Sequence, residues 1–113
     1  MHIPKPLLKI KFIETTLQKL CGYELYIHIQ SFREITIGRS PENTIIIPDP
    51  SVSRKHASIF QEGSNIVLKD LGSKNGTYII ENGIPYRISE ITLMKNTLIR
   101  FGLYTLVSIE VEF

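Results

Sequence analysis

The sequence has one cysteine, Cys21, and no tryptophan among its 113 residues. A single thiol excludes an internal disulfide and gives no sign of an oxidising compartment. Cys21 reads as a buried or idle thiol rather than a nucleophile. No apolar run approaches the ~20 residues that a helix needs to cross a bilayer. The opening Met1-His2-Ile3-Pro4-Lys5-Pro6 lacks the basic-then-apolar order of a secretory leader, so a cytoplasmic location is the expectation. Charge of one sign is also scarce, with 13 Lys+Arg against 11 Asp+Glu and a formal net charge of +2. A dedicated nucleic-acid binder carries a concentrated basic excess, which is missing here. Long stretches of helical periodicity are missing as well, which argues against a helical bundle.

What is present is strand periodicity. The composition, 42% hydrophobic and 21% charged, is that of an ordinary globular domain long enough to bury a core. Leu8, Ile10 and Phe12 alternate with Lys9 and Lys11, and Leu25, Ile27 and Ile29 with Tyr26, His28 and Gln30. Further short apolar runs cover Ile35 and Ile37, residues 43–47, 57–61, 66–69, 77–80 and 106–113, with Ile91, Leu93, Leu98, Ile99 and Phe101 before the last of them. Pro48-Asp49-Pro50 stops one run, and Asn82-Gly83 marks a hairpin because both residues tolerate positive φ. Glu81 reads as an extra residue in that hairpin, the mark of a bulge or a longer loop. Residues 15–21 fit either one helical turn or a loop, and residues 31–34 a turn. Lys5, Lys9, Lys11 and Lys19 face only Glu14 in the first twenty residues, which predicts a solvated strand edge guarded by lysines. The fold class is all-β: a β-sandwich of about ten to eleven short strands with functional loops at one end. Residues 1–21 supply a lead-in, loose over 1–6, and a first strand, and residues 22–113 the single domain proper.

Three polar clusters stand between these runs: Gly38-Arg39-Ser40-Pro41-Glu42-Asn43, Ser51-Val52-Ser53-Arg54-Lys55-His56 and Gly72-Ser73-Lys74-Asn75-Gly76-Thr77. Each falls where a strand ends, so each is a loop, and loops at one end of a sandwich can converge. Their inventory suits an oxyanion. Arg39, Arg54 and Lys74 supply charge, Ser40 and Ser53 hydroxyls, and Asn75 an amide with both donor and acceptor. Together they describe a surface that grips a phosphate carried on a peptide.

The same residues resemble a known family. Gly38-Arg39, Ser53-x-x-His56 and Asn75-Gly76 stand in the order of the forkhead-associated (FHA) domain, flanked by matching runs at residues 43–49 and 70–77. The resemblance covers residues 22–113. It implies a β-sandwich that binds phosphothreonine in a partner protein, without cofactor, metal or catalysis, downstream of a serine/threonine kinase. It further implies that Arg39 and Ser53 contact the phosphate and that Asn75 holds the peptide backbone beside it. Ser40, Arg54 and Lys74 complete the site, Arg54 reaching either the phosphate or the peptide. Gly38, His56, Gly76 and Thr77 would support it, His56 by bracing the serine loop. Ser51 lies in the loop that the family uses to read a residue beyond the phosphothreonine, where its small neutral side chain gives no charge preference. Asn96-Thr97 replaces the family's usual Gly-Asp turn, and Asn tolerates left-handed geometry.

Other classes make distinct demands. Asp49, Ser53 and His56 would have to form a hydrolytic triad, yet no Gly-x-Ser-x-Gly elbow accompanies them. No His, Cys and carboxylate cluster has metal-ligand spacing. A single-stranded nucleic-acid binder would need Phe12, Phe32, Tyr78, Tyr86 and Tyr104 as stacking faces, although aromatics at strand spacing usually belong to a core. An FHA fold working without phosphate, through a sheet face or a dimer contact, is the remaining alternative. Neither nucleic acid nor membrane is the expected partner.

Overall fold

The computed structural model describes residues 5–113. The loose lead-in expected over residues 1–6 lies largely outside them. Eleven strands follow: β1 (Leu7–Glu14), β2 (Glu24–His28), β3 (Ile35–Gly38), β4 (Ile45–Ile46), β5 (Ala57–Glu62), β6 (Asn65–Asp70), β7 (Thr77–Glu81), β8 (Ile84–Ile88), β9 (Glu90–Thr92), β10 (Asn96–Phe101) and β11 (Thr105–Glu112). They form a six-stranded sheet in the order β2-β1-β11-β10-β7-β8 and a five-stranded sheet in the order β4-β3-β5-β6-β9. Alternation builds the sandwich. Leu8, Ile10 and Phe12 of β1 and Val107, Ile109 and Val111 of β11 point inward, against Ile35, Ile37, Ile59, Ile66 and Leu68 of the other sheet. Each such side chain contributes about 1.5–3 kcal/mol on burial, which is what holds the two layers face to face.

Several expectations are corrected. β1 is no edge, because it pairs with both β11 and β2. Its lysines stand on the solvent face of an interior strand, where Lys9 pairs with Glu24 at 3.2 Å and Glu110 at 3.7 Å. Glu81 is not an extra residue. It pairs directly with Ile84, and Asn82 (φ 52°) and Gly83 (φ 76°) alone make the turn, both in the left-handed region that a tight hairpin requires. Asn96 opens β10 in extended conformation and uses no left-handed geometry. Residues 18–20 form one short 3-10 turn, and Ile29 starts another while remaining buried. Cys21 is exposed. β8 had no counterpart in the sequence reading: it carries Pro85 and is mostly exposed, as an edge strand permits.

Topology brings the polar loops together. β3 runs antiparallel to β5 and β5 to β6, so the end of β3, the start of β5 and the end of β6 share one end of their sheet. Among the described residues no helix is long and apolar enough to cross a membrane.

Candidate functional site

The first two loops are laced by backbone hydrogen bonds. Arg39 N–H donates to the Ser53 carbonyl at 3.0 Å and Ser40 N–H to the Arg54 carbonyl at 3.2 Å. Asn43, almost fully buried, donates its amide to the carbonyls of Ser40 at 2.9 Å and Arg54 at 2.7 Å. Gly38 allows this approach: a Cβ there would collide with the Arg54 carbonyl oxygen and crowd the Asn43 amide. Arg54 is thus fixed at its backbone and exposed at its side chain.

His56 joins the second loop to the third. It is wholly buried, and its Nδ1 accepts the Ser53 backbone N–H at 3.0 Å. That leaves the proton on Nε2, which donates to the Gly76 carbonyl at 2.8 Å. The ring also packs at right angles to Phe101, with ring centroids 5.7 Å apart. Burial pushes the imidazole below its ordinary pKa, outweighing the upward pull of the Gly76 carbonyl and of Asp70 and Asp49. The ring is therefore neutral, and Asp70, 3.8 Å away, is its neighbour rather than an ion-pair partner.

Two carboxylates shape the loops around this histidine. Asp70 accepts the hydroxyls of Ser73 at 2.6 Å and Thr77 at 2.7 Å, and the N–H groups of Gly72 and Ser73 at 3.0 and 2.9 Å. Burial pushes its carboxyl up, but these donors and His56 outweigh it and hold the pKa below the usual value. Asp49, fully buried, accepts the Ser51 hydroxyl and N–H, each at 2.8 Å, and the Thr105 hydroxyl at 2.7 Å. The Ser51 hydroxyl oxygen in turn accepts Leu103 N–H at 2.9 Å. Ser51 is thus turned inward, its hydroxyl held between Asp49 and Leu103.

The sequence-predicted residues fall as follows. Arg39, Arg54 and Lys74 are exposed, and Ser40, Ser53 and Asn75 half-buried. Arg39 anchors its Nε on the Val52 carbonyl at 3.0 Å, and its terminal nitrogens make no ion pair among the described residues. The Ser53 hydroxyl oxygen accepts Lys74 N–H at 3.1 Å across the second and third loops. Asn75 donates one amide N–H to the Ser51 carbonyl at 2.8 Å. Gly38, His56, Gly76 and Thr77 are buried behind this surface. Gly76 (φ 90°) has the left-handed backbone that favours glycine, and a Cβ there would crowd Tyr78 and Arg87.

The hydrolytic and metal constellations do not assemble. Both ring nitrogens of His56 are engaged by backbone groups and Asp49 is bonded to Ser51 and Thr105, so no Asp–His–Ser relay exists. Phe12 lies in the core, and Tyr78 and Tyr86 face opposite sides of their hairpin, Tyr78 beside Arg87 and Tyr86 beside Ile79. Among the described residues no three His, Cys, Asp or Glu side chains are grouped to hold a metal. Sequence reasoning missed the roles of Asn43, Asp49, Asp70 and Ser73. The Asp70-x-x-Ser73 spacing could have found the last two, and the Asp49-x-Ser51 spacing, an Asx-turn pattern, part of the role of Asp49.

Comparison with known proteins agrees with this geometry. The FHA domain family matches residues 35–102, well over half of the chain. An oxoglutarate dehydrogenase inhibitor of Corynebacterium diphtheriae is 40% identical over 75 residues, 66% of this chain and 50% of that protein. The FHA domain-containing protein FhaB of Mycobacterium tuberculosis is 39% identical over 73 residues, 56% of this chain and 47% of that protein. The chain thus spans about half the length of these two relatives. The solution structure of the FHA domain of an Arabidopsis thaliana hypothetical protein matches with TM-score 0.75 and 32% identity, over 96% of this chain and 86% of that one. Mycobacterium tuberculosis EmbR, in complex with a low affinity phosphopeptide, matches with TM-score 0.72 and 27% identity, over 92% of this chain and 24% of that one. On the residues matched and the fold shared, the chain belongs to the FHA domain family.

Proposed function

We propose that this chain is a phosphothreonine-dependent protein-binding module acting in serine/threonine kinase signalling or assembly. It recruits a phosphorylated partner and needs neither catalysis nor cofactor. The observation that carries this reading is the state of Ser53. Its oxygen accepts Lys74 N–H where the second and third loops meet, and its own proton is free to rotate toward a ligand at the loop surface that Arg39 also borders. A phosphothreonine carries close to two negative charges and three acceptor oxygens, which the Arg39 fork and the Ser53 hydroxyl complement. Lys74 closes the pocket from the third loop, and Asn75 holds the peptide backbone. The threonine methyl adds up to ~0.8 kcal/mol if buried, so preference over phosphoserine also needs the phosphate to be held in one direction. The phosphopeptide bound to EmbR supports the reading by likeness of fold.

Isothermal titration with matched peptides tests it. The expected result is saturable binding of a phosphothreonine peptide library and no binding of the same library after phosphatase treatment. Equal binding of both libraries would replace this reading with a phosphate-independent interaction module.

A further inference from the structure

Among the described residues the two sheets end in four edge strands, β2 and β8 in one and β4 and β9 in the other. A bare edge invites another strand, and three of these four are blunted. β4 has only two residues and β9 three. β8 carries Pro85, and the ladder fixes where that residue points. Gly102 N–H donates to the Gly76 carbonyl, so alternation along β7 turns Thr77, Ile79 and Glu81 toward β8, where Ile88, Tyr86 and Ile84 face back. The backbone of Pro85 therefore faces outward, where proline has no N–H to offer.

β2 lacks these devices. Its five residues, Glu24-Leu25-Tyr26-Ile27-His28, include no proline and no lysine, and they pair with β1 without a register shift. Phe12 N–H donates to the Tyr23 carbonyl at one end, and Ile29 N–H to the Pro6 carbonyl at the other, at 2.9 and 3.1 Å. Alternation between these bonds turns the backbone of Leu25 and Ile27 toward β1 and that of Glu24, Tyr26 and His28 outward. Among the described residues no hydrogen bond reaches the outward N–H or C=O of Glu24 or Tyr26.

We infer that β2 pairs with β2 of a second copy of this chain, antiparallel and centred on Tyr26, so that two six-stranded sheets become one. The strand is complementary to itself in that register. Tyr26 meets the second copy's Tyr26, an aromatic pair on the two-fold axis. Leu25 meets the second copy's Ile27 on the core side, and Glu24 the second copy's His28 on the outer side, so no like charges are opposed. The outward backbone groups of the two central tyrosines stand opposite each other, as a hydrogen-bonded antiparallel pair requires. This side-chain order is what argues for a second copy rather than a foreign strand. None of these residues belongs to the phosphate site, and the inference stands apart from the phosphothreonine reading.

Sedimentation equilibrium from about 10 µM to about 1 mM tests it, a range suited to a small interface. The mean mass is expected to rise with concentration from 12.9 kDa toward twice that value. Tyr26→Lys and Tyr26→Glu each oppose like charges on the axis and should weaken association at least about tenfold. Mixed in equal amounts the two variants should regain it, because one variant's lysine then faces the other's glutamate. Tyr26 is 58% exposed and its backbone takes no part in the β1 ladder, so both variants should keep the circular dichroism of the wild type. Amide exchange in the wild type gives a second readout: Glu24 and Tyr26 should slow as concentration rises, and Arg87 on the opposite edge should not. A monomer at every concentration, or exchange at Tyr26 that ignores concentration, overturns the inference and leaves the edge to a foreign strand. Association undiminished in both variants, or not regained in their mixture, overturns it by moving the contact off β2.

Discussion

The hydroxyl oxygen of Ser53 accepts the backbone N–H of Lys74 at 3.1 Å, joining two loops that are 21 residues apart in sequence. The hydroxyl accepts from the third loop and keeps its own proton free for a ligand.

Ser53→Ala removes both. The Lys74 N–H is exposed enough to turn to water, so the fold loses little and the phosphate loses a charge-assisted donor. Phosphopeptide affinity should fall by about 1.5–3 kcal/mol, with a melting temperature close to wild type. Unchanged affinity by titration would take Ser53 out of the site.

His56→Ala should act on the fold instead. It strands the Ser53 N–H, leaves the Gly76 carbonyl with Gly102 N–H alone, and opens a cavity against Phe101. Urea denaturation should show a loss of about 2–4 kcal/mol. A variant as stable as wild type would contradict the bracing role.

The same ring makes stability depend on pH. Its pKa in the fold lies below the ordinary value because burial disfavours the charged form. Its contribution is therefore fully present above about pH 6.5 and is lost as pH falls through the folded value. Asp70, also held low, extends the loss further into acid, below about pH 3.9. Thermal melts from neutral to mildly acidic pH should show a decline that His56→Gln removes. A flat wild-type profile over that range would refute it.

Gly38→Ala should force the first loop off the second, because the new Cβ meets the Arg54 carbonyl and the Asn43 amide. Overpacking of this kind costs about 1–3 kcal/mol, and phosphopeptide affinity should fall with it. Amide exchange at Ser40 and Arg39 reports the same event: faster exchange is expected, and wild-type protection would count against the contact.

Much of this was legible before any coordinates. Alternation in Leu8, Ile10 and Phe12 marked an inward face because strand side chains repeat every second residue. Asn82-Gly83 fixed a hairpin because its backbone demands positive φ. The register beside it was misread at Glu81, since nothing local distinguishes a paired terminal residue from a bulged one. The edge assigned to β1 was wrong for a related reason: lysines on a strand's solvent face look alike whether the strand is central or peripheral. Of the candidate site, Arg39, Ser53 and Asn75 were singled out by type and order. Asn43 and Asp49 were not assigned their roles, because their partners Arg54 and Thr105 lie far along the chain and meet them only once the sheets have formed.

The central claim is that the Arg39 fork, fixed through its Nε on the Val52 carbonyl, grips the phosphate. Isothermal titration of one phosphothreonine peptide against wild type, Arg39→Lys and Arg39→Ala tests it most directly. A loss of about 1.5–3 kcal/mol in Arg39→Ala is expected, only partly recovered by lysine, which brings charge without the planar fork. Wild-type affinity in Arg39→Ala, with the fold intact, would contradict the account.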